Sequence, residues 1–218
     1  MSAIHKNTFA FLRELIGNNN RDWFMDNKAR YEEARENVLD FTAALLPLMA
    51  KADPMVDATA DPKKRVLRIY RDIRFSKDKT PYKTNFGIGI PSGHTGYFVQ
   101  IQPGDSFAAG GYWMPEAGHL KAIRQEIDYN PGALLSVIDE KTFRKAFGDF
   151  RKQDKLKTVP RDYSADHEHI DLLKLKSFAA MHTLTDTELQ KKDAENTVAG
   201  FLIMTTPLNT FLARAISS

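Results

Sequence analysis

Cysteine is absent from the 218 residues, which excludes disulfides, thiolate-held zinc or iron–sulfur clusters, and cysteine nucleophiles. Long apolar runs are missing too. The best candidate, Val198-Ala-Gly-Phe-Leu-Ile-Met204, is far shorter than the roughly 20 residues needed to span a bilayer. The start, Met-Ser-Ala-Ile-His-Lys-Asn-Thr-Phe, has no apolar stretch of signal-peptide length, so the expectation is a cytoplasmic protein with no membrane partner. There is no glycine-rich phosphate loop and no His-Glu-x-x-His spacing, and neither Ser76, Ser92 nor Ser106 sits in a nucleophile elbow. His167-Glu-His169 is the nearest approach to a metal spacing, and on a loop or helix start such a pair is usually surface. No metal and no cofactor are expected. No repeat, low-complexity tract or linker cuts the chain, so residues 1–218 read as one domain.

What is present is ordinary in bulk and lopsided in detail. Hydrophobic residues make up 42% and charged residues 27%, as in a typical globular chain. The net charge is only +3. Between Lys63 and Lys83, however, nine Lys or Arg face only Asp72 and Asp78, a local charge of +7 that leaves the remainder at −4. Positive potential gathered in one window attracts anions.

Hydrophobic spacing gives the elements. Asn7-Thr8 before Phe9, Phe11, Leu12, Leu15 and Ile16 predicts a capped helix ending at Gly17. Phe24, Tyr31, Val38, Phe41, Leu45 and Leu48 form one stripe of a second, long helix, which Pro47 should kink or end. Residues 65–71 fit a helix or a strand by periodicity; β-branched and aromatic content tips the choice to a strand, with Ser76 to Tyr82 as a loop. Phe86 to Ile90, Gly96 to Gln102 and Ser106 to Trp113 are short runs between turn residues and predict a meander of antiparallel strands. Gly87, Gly89, Gly110 and Gly111 inside them point to bulges or a close backbone approach. Helices are expected after Pro115, at Pro131 to Glu140 and at Thr142 to Phe147. Leu172 to Met181 fits a strand or a helix. A capping box at Thr185-Asp-Thr-Glu188 opens another helix, and Pro207 divides the last apolar region in two. The fold class is α+β: an antiparallel sheet of about four to five strands packed against N-terminal and C-terminal helices.

The run Arg68-x-Tyr-Arg-Asp-x-Arg-Phe-Ser-x-Asp-Lys-Thr-Pro-Tyr-Lys83 resembles the signature of a family of uncharacterised proteins, domain of unknown function 2461. Asn19-Asn-Arg-Asp-Trp-Phe24 with Lys28 and Tyr31, Gly110-Gly-Tyr-Trp-x-Pro115 with Leu120, Ile123 and Arg124, Val159-Pro-Arg-Asp-Tyr163 with Asp166-His167, and Leu173-Lys-Leu-Lys176 continue the likeness. Arg161, standing before a position where a glycine is expected, is a minor departure. The resemblance implies one continuous domain and brings no activity, substrate or cofactor with it.

The candidate ligand-binding residues are Arg68, Arg71, Asp72, Arg74, Lys77, Asp78, Lys79, Tyr82 and Lys83, with Trp113 as a wall. Arginine grips carboxylate or phosphate through two parallel hydrogen bonds. On a straight strand Arg68 and Arg74 would stand roughly 20 Å apart, so a shared small ligand requires the chain to bend. The bland alternative makes Arg71 the partner of an acidic side chain and leaves the lysines solvated. Asp72 and Asp78, surrounded by cations, suit ion pairing better than proton abstraction. The favoured reading is a pocket for a small anionic, phosphate-bearing ligand. One rival is a non-catalytic module docking an acidic protein or nucleic acid. The other is an enzyme acting on phosphoesters through Asp72 or Asp78. Nothing in the sequence specifies an oligomeric state.

Overall fold

The chain opens with α1 (Lys6–Gly17), α2 (Arg21–Asp26), α3 (Lys28–Ala52) and α4 (Pro62–Arg65) in a computed structural model that describes residues 2–217. Strands β1 (Phe86–Ser92), β2 (Thr95–Ile101) and β3 (Ser106–Tyr112) follow, then α5 (Ala117–Tyr129), α6 (Pro131–Ile138), α7 (Lys141–Phe147), a 3₁₀ turn (Phe150–Lys152) and α8 (Ile170–Leu173). β4 (Phe178–Leu184), α9 (Asp186–Leu189), α10 (Ala194–Met204) and α11 (Thr206–Ser217) complete it. The four strands form one antiparallel sheet in the order β1-β2-β3-β4, so the class is α+β as expected. Short turns dictate the meander of the first three strands. In β2 buried Thr95, Tyr97, Val99 and Ile101 alternate with less buried neighbours, as a strand with one covered face requires. Among the described residues no helix is long and apolar enough to cross a membrane.

Two compact units can be distinguished. The first takes the described residues up to Ile90, with Phe98–Ala108 and Thr183–Gly200. Its core is the apolar stripe of α1 (Phe9, Phe11, Leu12, Leu15) facing Val38, Phe41 and Leu45 of α3, all buried. A buried polar residue locks this contact. The Asn37 side-chain oxygen accepts from the His5 amide and the Thr8 hydroxyl, both at 2.8 Å, while its nitrogen donates to the Ala3 carbonyl at 2.9 Å. This bond explains why Thr8 does not cap α1, which begins at Lys6 after His5 with no side-chain cap. Both polar atoms of the Asn37 amide are bonded, so its burial costs little.

One further expectation is corrected, and one of two alternatives is decided against. The long helix is broken at Asn27 into α2 and α3, with the Asn27 side chain donating back to the Trp23 carbonyl at 2.9 Å. α3 then runs through Pro47 to Ala52, so of the kink or end expected at Pro47 the end does not occur. Proline removes one amide and with it the helical donor to the Ala43 carbonyl; both residues are exposed, so that carbonyl is open to solvent and the helix continues.

The second unit takes Pro91–Tyr97, Ala109–His182 and the described residues from Phe201 onward. Ile123 and Ile127 of α5, Leu134 and Ile138 of α6, Leu172 and Leu173 of α8, and Leu208 and Leu212 of α11 close its core around Phe150 and Phe178. The region that fits helix or strand by sequence contains both, α8 and then β4. The capping box at Thr185 is formed, with Thr185 and Glu188 each bonded to the other's backbone amide.

The strand glycines divide by surroundings. A Cβ on Gly110 would lie 1.8 Å from the Thr205 hydroxyl oxygen, and one on Gly111, whose φ is +139°, would lie 2.0 Å from the Phe178 carbonyl oxygen. At Gly89 it would meet nothing within 4 Å. Thr205 is fully buried and donates to the Leu202 carbonyl, so it cannot swing away freely. Gly110→Ala is expected to destabilise the protein by about 1–3 kcal/mol through overpacking, and Gly89→Ala by much less. Urea-unfolding midpoints check this; equal midpoints for the two variants would refute the close approach.

Candidate functional site

The basic motif lies wholly in the first unit and forms a closed loop. The expected strand at 65–71 is replaced by the end of α4 and an extended segment that makes only isolated bridges. Val66 pairs with Ile88 of β1 and the Leu67 amide donates to the Gly87 carbonyl at 2.8 Å. Four residues on, the segment pairs instead with its own return limb. Tyr70 bridges Tyr82, the Arg71 amide donates to the Pro81 carbonyl at 2.9 Å, and the Lys83 amide donates to the Ile69 carbonyl at 2.7 Å. A continuous strand fails because burial does not alternate. Val66 and Ile69 are buried, three apart, while Leu67 and Tyr70 are exposed.

Asn19 and Phe24 hold the return limb. The Asn19 side chain donates to the Tyr82 carbonyl at 2.9 Å and accepts from the Tyr82 amide at 3.1 Å, acting as a one-residue strand partner. The Tyr82 ring stacks on Phe24 at 3.9 Å between centroids and is 5% exposed. Burial pushes the Tyr82 phenol pKa up. Tyr82 is therefore an anchor of the return limb.

Within the loop the carboxylates are consumed. The Arg71 guanidinium reaches both the Asp78 carboxylate and the Thr80 hydroxyl and carbonyl oxygen. Asp78 also accepts from the Thr80 amide at 2.9 Å. That amide first, then Arg71 and the Thr80 hydroxyl, lower the Asp78 pKa to about 2. Asp72 binds Arg74 through two nitrogens, Nε at 3.0 Å and Nη2 at 2.7 Å. This pair lowers the Asp72 pKa and raises that of Arg74. Both pairs are solvated, with Arg74 76% and Asp78 59% exposed along their side chains, so each adds little stability. Carboxylates this acidic are poor proton acceptors near neutral pH.

The remaining cations have other surroundings. The Lys79 ammonium donates to the Ile73 carbonyl at 2.9 Å. Lys83 is half-buried, and burial together with nearby Arg68 pulls its pKa down. Arg68 and Lys77 are exposed and make no ion pair among the described residues. A cleft of about 530 Å³ opens beside the loop, bounded by Asn19–Arg21 on one side and by Ile73 and Asp78–Pro81 on the other. Of the sequence candidates it therefore gathers Asp78 and Lys79. Arg21 is its second cation and was missed by charge counting, although it stands in the Asn19-to-Phe24 run that carried the family resemblance. Trp113 belongs to the second unit and is 72% exposed.

The protein is thus an α+β protein with a cation-bearing cleft at a closed basic loop. A family model described as conserved hypothetical protein (DUF2461) matches residues 7–211, and the chain belongs to that family. No curated protein and no solved structure gives a significant match.

Two outcomes are expected. Asn19→Ala removes both bonds to the partly buried Tyr82 backbone and should cost about 1–3 kcal/mol in urea unfolding; a change under 0.5 kcal/mol would show the clamp to be idle. Because the Asp78 pKa is depressed on folding, its contribution to stability is complete above the ordinary carboxylate value near 4. It is lost as pH falls from there through about 2. The Thr80 amide NMR resonance should titrate with a midpoint near 2; a midpoint near 4 would mean that the Asp78 bonds are not made.

Proposed function

We propose that the cleft beside the motif loop binds a small anionic, phosphate-bearing ligand through Arg21 and Lys79. One observation carries the reading. Asp78 and Asp72 are already neutralised by Arg71 and Arg74, so the charges of Arg21 and Lys79 at the cleft have no carboxylate partner among the described residues. In this reading Arg71 and Arg74 shape the loop, and Arg68, Lys77 and Lys83 add positive potential that steers anions toward it. Trp113 takes no part. Residues 1–218 act as one α+β domain, a reading supported by a single family match that runs through both units.

A second reading has its own support. Phe75 is 95% exposed, with the Arg74 guanidinium 5.8 Å from its ring centroid. An aromatic presented beside cations suits docking of an acidic protein segment or single-stranded nucleic acid.

Thermal shift with inorganic phosphate, nucleotides and phosphosugars separates the two. A ligand of the folded state stabilises by mass action, about 2.7 kcal/mol at a hundredfold excess over its Kd. The expected result is a concentration-dependent rise in Tm that Arg21→Ala/Lys79→Ala weakens at least tenfold in apparent affinity. No rise with any small anion, with saturable binding of an oligonucleotide or poly-glutamate lost in Phe75→Ala, would overturn the cleft in favour of docking.

A further inference from the structure

A second cleft of about 500 Å³ lies wholly within the second unit, between one face of α5 and the loop around Val159 to Tyr163. Lys121 and Arg124, three apart on α5, project to the same face as Ala117. Arg161 comes from the loop opposite. Asp162 is the one carboxylate among the lining residues, so the three cations leave a net charge of +2.

Arg124 is held in an unusual way. Its Nε donates to the Leu173 carbonyl at 2.7 Å and its Nη2 to the Leu175 carbonyl at 3.3 Å. These bonds fix the plane of the guanidinium. No ion pair is made by Arg124, Lys121 or Arg161 among the described residues, in contrast to the paired Arg71, Arg74 and Arg151. Arg124 is partly buried, and burial pulls its pKa down. A guanidinium withdrawn from water and answered only by carbonyl dipoles lacks a counter-charge. Beside it, Val159 and Pro160 supply apolar wall and Tyr163 a phenol whose pKa burial pushes up, which keeps it a neutral donor.

We propose that this cleft binds a phosphomonoester, its phosphate against Arg124, Lys121 and Arg161 and its organic body on Val159, Pro160 and Tyr163. The net charge matches a phosphate carrying close to two negative charges at neutral pH. The volume falls in the range of pockets that take a whole small molecule, so there is room for more than the bare ion. The site is independent of the motif cleft and uses none of its residues.

The test is calorimetric titration of Arg21→Ala/Lys79→Ala protein, in which the motif cleft is disabled, with inorganic phosphate, glycerol 3-phosphate, adenosine monophosphate and citrate. Saturable binding of at least one phosphomonoester is expected, tighter than that of inorganic phosphate. Adding Lys121→Ala and Arg161→Ala should weaken it at least tenfold. These two side chains make no ion pair or hydrogen bond among the described residues, so their loss leaves the fold intact; Arg124→Gln, expected to weaken binding as strongly, supplies an independent variant. Absence of saturable binding at millimolar concentrations would overturn the proposal. So would affinity unchanged by these variants, or citrate binding as tightly as the phosphomonoesters.

Discussion

The clamp of Asn19 and Phe24 on Tyr82 is the constraint on which the basic loop depends. Asn19 saturates both backbone groups of Tyr82, and Phe24 covers its ring. Both come from the α1–α2 region, which α3 holds through the Phe11, Phe24 and Tyr31 rings and the Asn37 network. With the return limb pinned there, Arg71 and Lys83 can close the loop by backbone bonds, and residues 72–80 leave the body of the unit as a defined excursion. Chain entropy opposes any such excursion. The Arg71–Asp78–Thr80 cluster offsets part of that cost by tying one side of the loop to the other.

Charge within the loop then sorts into two populations. Arg71 and Arg74 hold Asp78 and Asp72, and Asp78 is driven to a pKa of about 2 in doing so. A carboxylate in that state is a good hydrogen-bond acceptor and a poor proton acceptor at neutral pH. Arg21 and Lys79 face a cleft without such partners, which is why the proposed ligand is placed with them. The second unit repeats the logic with different parts, since Arg124 is oriented by carbonyls instead of a carboxylate.

Much of the fold was legible in the sequence because it is encoded locally. Turn residues bounded the meander, the Thr185 capping box opened its helix, and Pro207 divided the last two helices. The misreadings arose where distant contacts overrule local preference. Thr8 bonds to Asn37, 29 residues away, and so does not cap α1. Pro47 does not end its helix, because it sits on an exposed face where a lost helical bond is tolerated. Val66 to Arg71 answers first to β1 and then to its own return limb, and so matches neither period. The candidate loop was visible as clustered charge, but charge counting could not assign Arg71 to Asp78 or Arg74 to Asp72. It also passed over Arg21, 58 positions before Lys79 and brought to the same cleft by the fold, two residues after the Asn19 clamp.

The central claim is this division of cations between loop-building and ligand-holding roles. A crystal structure grown in selenate, with anomalous scattering to locate the anion, tests it directly. The account predicts selenate held by Arg21 and Lys79 in the cleft, with Arg71 still on Asp78 and Arg74 still on Asp72. Selenate bound by Arg71 and Arg74, with their aspartates released, would contradict it.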